Sequence, residues 1–160
     1  MADESEQQRL NRELIELLNE LRVVLPGVQV LFAFLLTIPF SRGFPKLDRL
    51  AKDVYFAALL AAVASSILLI APSAYHRILF HQGDKKYLIE TSSRMAVIGT
   101  FALAVSICCA VFVLADFVFG GVAALAVSAL VMIMSVTFWF VLPLRRRREL
   151  DGLGDYGCEN

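Results

Sequence analysis

Residues 95–115 have the sequence MAVIGTFALAVSICCAVFVLA, a run of 21 residues without a charged side chain. An α-helix of this length spans about 30 Å, the thickness of the hydrocarbon core of a bilayer. Three more charge-free runs, residues 23–40, 54–71 and 120–142, contain 18, 18 and 23 residues. These four apolar runs hold half of the 160 residues, and all 30 Asp, Glu, Lys and Arg residues lie outside them.

The four apolar runs predict an all-α protein, an integral membrane four-helix bundle with one spanning helix per run. A soluble bundle of fully buried helices is the alternative, since such helices are also apolar on every side. It is disfavoured because no polar face remains to meet water. Membrane-spanning strands are disfavoured by the absence of period-two alternation. Gly120 and Gly121 predict the turn that separates the third and fourth spans.

The chain is expected to have three parts: an arm of residues 1–22, the membrane domain of residues 23–142, and a disordered basic tail of residues 143–160. The spacing of apolar residues in the arm predicts an amphipathic helix. This helix is expected to lie on the inner membrane surface, to pack on a partner protein, or to pair with its own copy. Pro26 predicts a break or kink where the arm enters the membrane, and Pro72 predicts an end or kink of the second span. The arm's apolar stripe is formed by Leu10, Leu14, Ile15, Leu17, Leu18 and Leu21.

The distribution of basic residues predicts the orientation. With four crossings, the arm, the segment 72–94 and the tail share one side with 11 basic residues, against 4 in the segment 41–53. Both termini are therefore expected in the cytoplasm. The strongest topology anchor, which is also a candidate contact for anionic lipid, is the run Arg145, Arg146, Arg147 and Arg148. Tyr55 and Trp139 are interpreted as aromatic anchors at the membrane interfaces.

Few side chains in or near the apolar runs are candidates for binding a ligand or for catalysis. Gln29 is the only amide in the apolar runs and is a candidate for a bond to another helix or to Gln29 of a second copy. Asp116 is interpreted as a cap of the fourth helix, or as a proton or cation ligand near water. His76 is interpreted as an ordinary interfacial residue or a pH sensor. Cys108 and Cys109 point about 100° apart on a helix and cannot bridge each other.

Function classes are narrowed by what the sequence lacks. The 15 basic and 15 acidic residues balance, so no global positive field favours nucleic acid. No catalytic motif, zinc-site spacing or axial haem pair is present in the sequence, so we expect neither an enzyme nor a bound cofactor or metal. The expected partners are the lipid bilayer and a second copy or another membrane protein.

Several strings resemble a known family. These are ELLNELRV at residues 16–23, GVQVLFAFLLTIPF at 27–40, LIAPSAYHRILF at 69–80 and FWFVLPL at 138–144. Together they resemble a family of small four-span bacterial membrane proteins of unknown function, common in actinobacteria, some of which are labelled sodium:proton antiporters. The resemblance implies the topology above and an inner-membrane location.

Two functions follow as expectations. The first is a non-enzymatic membrane protein that acts as a homo-oligomer or an accessory subunit. The alternative is a small ion-coupled transporter of the sodium:proton antiporter type. Ion coupling requires a group that binds and releases the ion along the path, and the apolar runs contain no carboxylate, Lys, Arg or His.

Overall fold

The computed structural model describes residues 6–79 and 85–146, and almost all of these residues are helical. No strand occurs in these two ranges, so the predicted all-α four-helix architecture is confirmed. The four long helices are α1 (Glu6–Thr37), α2 (Arg49–Leu79), α3 (Lys85–Phe119) and α4 (Gly121–Val136). A π-helical turn, Thr137–Val141, follows α4, and helical structure continues to Arg146.

Each helix contains a segment long and apolar enough to cross a membrane. These segments are Arg12–Phe40, Arg49–Tyr75, Tyr87–Phe119 and Gly121–Arg146. The first three predicted apolar runs lie within one segment each, and the fourth does so except for its first residue, Gly120. Most large apolar side chains of these segments point outward, with Val122 of α4 87% exposed and Phe34 of α1 68% exposed. Length, composition and outward apolar surface together indicate a multi-pass membrane protein.

The buried faces of the helices follow a seven-residue period. This period produces the left-handed packing of helices that cross at about 20°. On α2 and α3 most members are small, which lets the backbones approach closely. The buried positions that follow this period are Leu14, Leu21, Val28 and Leu35 on α1; Ala51, Tyr55, Ala58, Ala62, Ser65, Leu69 and Pro72 on α2; and Ser92, Gly99, Ser106 and Val113 on α3.

Helices α2 and α3 are in close contact at Gly99. A Cβ atom added there would lie 2.9 Å from Cγ of Leu69 and 3.2 Å from Cβ of Leu68. Further along the same interface, the buried hydroxyl of Ser106 donates a hydrogen bond of 2.8 Å to the backbone carbonyl of Ala58. Antiparallel α2 and α3 therefore form the centre of the bundle.

The outer helices α1 and α4 pack on this central pair. Leu21 and Val28 of α1 form a buried cluster with Leu69 of α2. Helix α4 packs mainly against α3. In the π-helical turn that follows α4, the ring of Phe140 meets the ring of Phe101 of α3 edge to face at 6.0 Å. Neighbouring helices run antiparallel, so the start of α1, the end of α2, the start of α3 and the end of α4 lie at one end of the bundle.

The predicted break at Pro26 and the predicted end at Pro72 are wrong, while the alternative of a kink at each proline stays a prediction. Helix α1 continues through Pro26, and α2 continues through Pro72 to Leu79. A proline removes one backbone bond and still permits a helix when packing supports the flanking turns. The arm is therefore a direct extension of the first span. Its stripe contributes the buried residues Leu14 and Leu21 to the bundle.

The connections have clear local causes. Asp48 Oδ1 accepts a bond of 2.7 Å from the backbone N–H of Ala51, a standard N-terminal cap, and α2 begins at Arg49. Gly120 has φ of 91°, which favours glycine, and forms the predicted turn between α3 and α4. Residues 116–119, expected to belong to this connection, form the last turn of α3. Residues 143–146, expected to be disordered, are helical.

Gly99→Ala is expected to destabilise the protein by about 1–3 kcal/mol, because the added methyl group overpacks the contact with Leu69. Gly27→Ala is the matched control. Gly27 also lies inside a helix, but a Cβ atom there meets nothing within 4 Å. Thermal unfolding in detergent measures both. Equal unfolding temperatures for the two variants would contradict close packing at Gly99.

Candidate functional site

Gln29 lies on the outward side of α1. Its side chain is exposed, and it makes no hydrogen bond to any residue of the two described ranges. Exposed residues at spacings of four and three share this face of the helix, and we call them the outer stripe of α1. The outer stripe consists of Arg22, Pro26, Gln29, Ala33 and Leu36. The structure therefore places the predicted amide away from the other three helices.

Gln29 differs from several hydroxyl groups of the apolar segments, although the buried hydroxyl of Ser65 also lacks a partner among the described residues. The hydroxyl of Thr100 donates a hydrogen bond of 2.9 Å to the backbone carbonyl of Ala96, and the hydroxyl of Ser128 donates one of 2.7 Å to the backbone carbonyl of Ala124. Such bonds to the preceding helical turn satisfy a hydroxyl within its own helix. The amide of Gln29 has two donors and an acceptor for which the bundle provides no partner. In hydrocarbon these groups require a partner from outside the chain.

Asp116 lies half-buried in the last turn of α3. The interpretation of its side chain as a cap of the fourth helix is wrong, because Gly120 occupies the N-cap position and receives no side-chain bond. Only the backbone carbonyl of Asp116 takes part in the turn, where it accepts the N–H of Gly120 at 3.0 Å. Its carboxylate oxygen lies near Gly121, 3.6 Å from the position of a Cβ on that residue.

The other predicted residues are separated from Gln29 and Asp116. His76 belongs to α2, and its side chain is not among those described. Arg145 and Arg146 are exposed at the helical end that follows α4, while Arg147 and Arg148 lie outside the described residues. Gln29 and Asp116 are on different helices and make no contact with each other, so they do not form one joint site.

Two features were missed by the sequence analysis. The first is a cavity of about 350 Å³ between α2, α3 and α4, whose lining includes Cys108, Cys109 and Met132. The second is a groove of about 400 Å³ between α1, α3 and the end of α4, in which Glu20 and Ser93 are polar lining residues and Trp139 lies on one wall. Within the described ranges no three His, Cys, Asp or Glu side chains cluster.

Tyr55 has a structural role that the interfacial interpretation did not foresee. It is 5% exposed, and its hydroxyl donates a hydrogen bond of 2.8 Å to the backbone carbonyl of Leu35. In a continuous helix that carbonyl would accept the N–H of residue 39, but Pro39 has none. Tyr55 therefore satisfies a buried carbonyl that the proline leaves free, and it ties the end of α1 to the start of α2. Phe44 packs edge to face on its ring at 5.3 Å.

The fold and its outward apolar surface define the class, a multi-pass membrane protein. The chain belongs to a family of unknown function, DUF6328, whose sequence model matches residues 3–143. This match confirms the resemblance to a family of unknown function that the sequence strings indicated. Neither the curated proteins nor the solved structures contain a match to the chain.

Tyr55→Phe is expected to lower the free energy of unfolding by about 1–3 kcal/mol, because it leaves the carbonyl of Leu35 buried without a donor. Tyr75→Phe is the control, since Tyr75 lies on the same helix and is 37% exposed. Equilibrium unfolding of the two variants in one detergent gives the comparison. A loss of the same size in both would show that the hydroxyl of Tyr55 has no special role.

Proposed function

We propose that this protein is a non-enzymatic component of the bacterial inner membrane that assembles with a second copy through the outer stripe of α1. The observation on which this proposal rests is the exposed, unpartnered amide of Gln29 within a segment of membrane-spanning composition. The assembly acts as a membrane scaffold or accessory subunit, and its lipid-facing surface includes the outward side of α4.

The energetic argument starts from the cost of an amide in hydrocarbon. A lipid tail offers no hydrogen-bond partner, so the free amide costs several kcal/mol by transfer from water to an apolar medium. A second amide at the same depth removes this cost. Hydrogen bonds between helices in membranes contribute about 0.6–2 kcal/mol each in measured cases. Gln29 therefore favours association of α1 with a helix that presents a polar group opposite it.

The spacing of the outer stripe supports a second copy as that partner. Arg22, Pro26, Gln29, Ala33 and Leu36 repeat with the period of a coiled-coil seam. Gln29 is the one polar residue of this seam within the apolar run 23–40. A polar residue in such a seam fixes the register, because any slip leaves both amides unpaired. Two copies inserted in the same orientation and related by a two-fold axis along the membrane normal bring the two Gln29 residues to equal depth. The small side chain of Ala33 permits close approach beside them.

The proposed orientation has both termini in the cytoplasm. The antiparallel order of the helices supports a common end for the arm, the segment 72–94 and the tail, which together contain 11 of the 15 basic residues. The positive-inside rule assigns that end to the cytoplasm. In this orientation the exposed Arg145 and Arg146 lie at the cytoplasmic surface, where they contact anionic headgroups.

Gln29→Leu is expected to weaken dimerisation in detergent about three- to thirty-fold, the equivalent of the bond energies above. Analytical ultracentrifugation or energy transfer between labelled chains measures the change.

Disulfide cross-linking in membranes tests the geometry, with Gln29→Cys and Val30→Cys compared in a chain whose three native cysteines are serine. Val30 is also exposed but lies beside the outer stripe. Strong cross-linking at residue 29 and weak cross-linking at residue 30 are expected, and the opposite order would contradict the interface.

The competing function, sodium:proton exchange, has a separate test. Asp116 directly follows the third apolar run, and its half-buried position at the end of α3 is the one observation in its favour. In liposomes that contain the purified protein and a pH gradient, we expect no collapse of the gradient on addition of Na⁺ or K⁺. Exchange that disappears in Asp116→Asn would overturn the proposed scaffold function in favour of a transporter.

A further inference from the structure

The groove between α1, α3 and the end of α4 has both apolar and polar lining residues. Its volume of about 400 Å³ falls within the range of ligand pockets, about 300–1,000 Å³. Ala96, Val97 and Phe140 are apolar lining residues, whereas Glu20 contributes a carboxylate and Ser93 a hydroxyl. A ligand that combines an apolar chain with a polar head matches this lining.

The groove lies at the level where the apolar runs meet the charged ends of the helices. Glu20 precedes the first apolar run by three residues, Ser93 precedes the third run by two, and Trp139 lies three residues before the end of the fourth. At 1.5 Å per residue, all three lie within about 5 Å of the ends of those runs. Lipid headgroups begin at this level of a bilayer, and tryptophan is enriched there. A membrane lipid therefore has direct access to the groove.

Three polar groups that line the groove have no partner within the bundle. The carboxylate of Glu20, the hydroxyl of Ser93 and the indole N–H of Trp139 make no hydrogen bond or ion pair to any residue of the two described ranges. In contrast, the carboxylate of Glu16, one turn earlier on α1, lies 3.9 Å from the guanidinium of Arg12. The free carboxylate attracts a positive group, and the hydroxyl and the indole N–H are donors for an anionic oxygen.

Positive charge is present beside the same groove. Arg94 follows the lining residue Ser93, Arg145 follows the lining residue Leu144, and both arginine side chains are exposed. A headgroup that meets both the carboxylate and a guanidinium group must carry a positive and a negative charge. Phosphatidylethanolamine has this pair, an ammonium with three N–H donors and a phosphate that accepts bonds from arginine. Phosphatidylglycerol lacks the ammonium, and phosphatidylcholine has no N–H donor.

We propose that this groove binds one molecule of phosphatidylethanolamine. One acyl chain packs on Ala96, Val97 and Phe140, and the headgroup lies at the polar end of the groove. There the ammonium donates to the carboxylate of Glu20, and the phosphate accepts from the guanidinium of Arg145. The bound lipid fills the space between α1, α3 and the end of α4. The site does not use the outer stripe of α1, so it does not depend on the proposed dimer.

The test uses the fluorescence of Trp139, which is the single tryptophan of the chain and lines the groove. Lipids with brominated acyl chains quench tryptophan on contact. The full chain is reconstituted in phosphatidylcholine bilayers that contain equal mole fractions of brominated phosphatidylethanolamine, phosphatidylcholine or phosphatidylglycerol. The apparent binding constant from quenching is expected to be about two- to fivefold larger for phosphatidylethanolamine than for the other two lipids, a ratio typical of one exposed ion pair.

Two pairs of variants test the headgroup contact and the chain contact separately. Glu20→Gln is expected to remove the preference for phosphatidylethanolamine, because a neutral amide does not attract the ammonium. Glu16→Gln is its control, since Glu16 lies on the same helix and does not line the groove. Val97→Phe narrows the groove and is expected to weaken quenching by phosphatidylethanolamine. Its control is Ile98→Phe, because Ile98 is 55% exposed, against 53% for Val97, and is absent from the lining.

Four results would overturn the proposal. Equal quenching of the parent chain by the three lipids would show only the general contact of a spanning helix with its bilayer. Stronger quenching by phosphatidylglycerol would show a basic site for anionic lipid, without a role for the carboxylate. A preference that persists in Glu20→Gln, or that is lost to the same extent in Glu16→Gln, would contradict the headgroup contact. Equal effects of Val97→Phe and Ile98→Phe would contradict an acyl chain in the groove.

Discussion

Close contact between α2 and α3 is the constraint on which the rest of the bundle depends. Lipid tails are as apolar as leucine, so helices in a bilayer gain little from hiding apolar side chains from each other. Association depends instead on dense packing and on the few hydrogen bonds between helices. The absence of a side chain at Gly99 permits that packing, and the bond from Ser106 to the carbonyl of Ala58 is possible only because the two backbones lie so near.

In a bilayer every backbone carbonyl needs a hydrogen-bond donor from the protein, and this need also explains how the helices end. Pro39 leaves the carbonyl of Leu35 without its normal donor, and the phenol of Tyr55 replaces that donor. Pro143 raises the same difficulty at the end of α4, where a π-helical turn precedes it and the N–H of Leu142 bonds to the carbonyl of Thr137. At both prolines the backbone hydrogen-bonding pattern changes. A tyrosine side chain accommodates the change at Pro39, and a π-helical turn accommodates it at Pro143.

The sequence predicted the number and approximate positions of the helices because a charge-free run of about 20 residues has few other stable states in a membrane. It also predicted the turn at Gly120, where φ is positive. The helix break at Pro26 and the helix end at Pro72, each predicted as an alternative to a kink, do not occur, because local rules do not include the packing that supports a proline. The cap by Asp48 was readable in principle, because an aspartate precedes the helix start. Neither the burial of Tyr55 nor the meeting of Cys108 with Met132 could be predicted, because both depend on which helices are neighbours.

The continuity of α1 through Pro26 has a mechanical consequence. Residues 6–22 form a rod of about 25 Å at 1.5 Å per residue, joined to the first span without a hinge loop and held to the bundle by Leu14 and Leu21. A tilt of the span inside the bilayer therefore moves the far end of the rod by several ångströms.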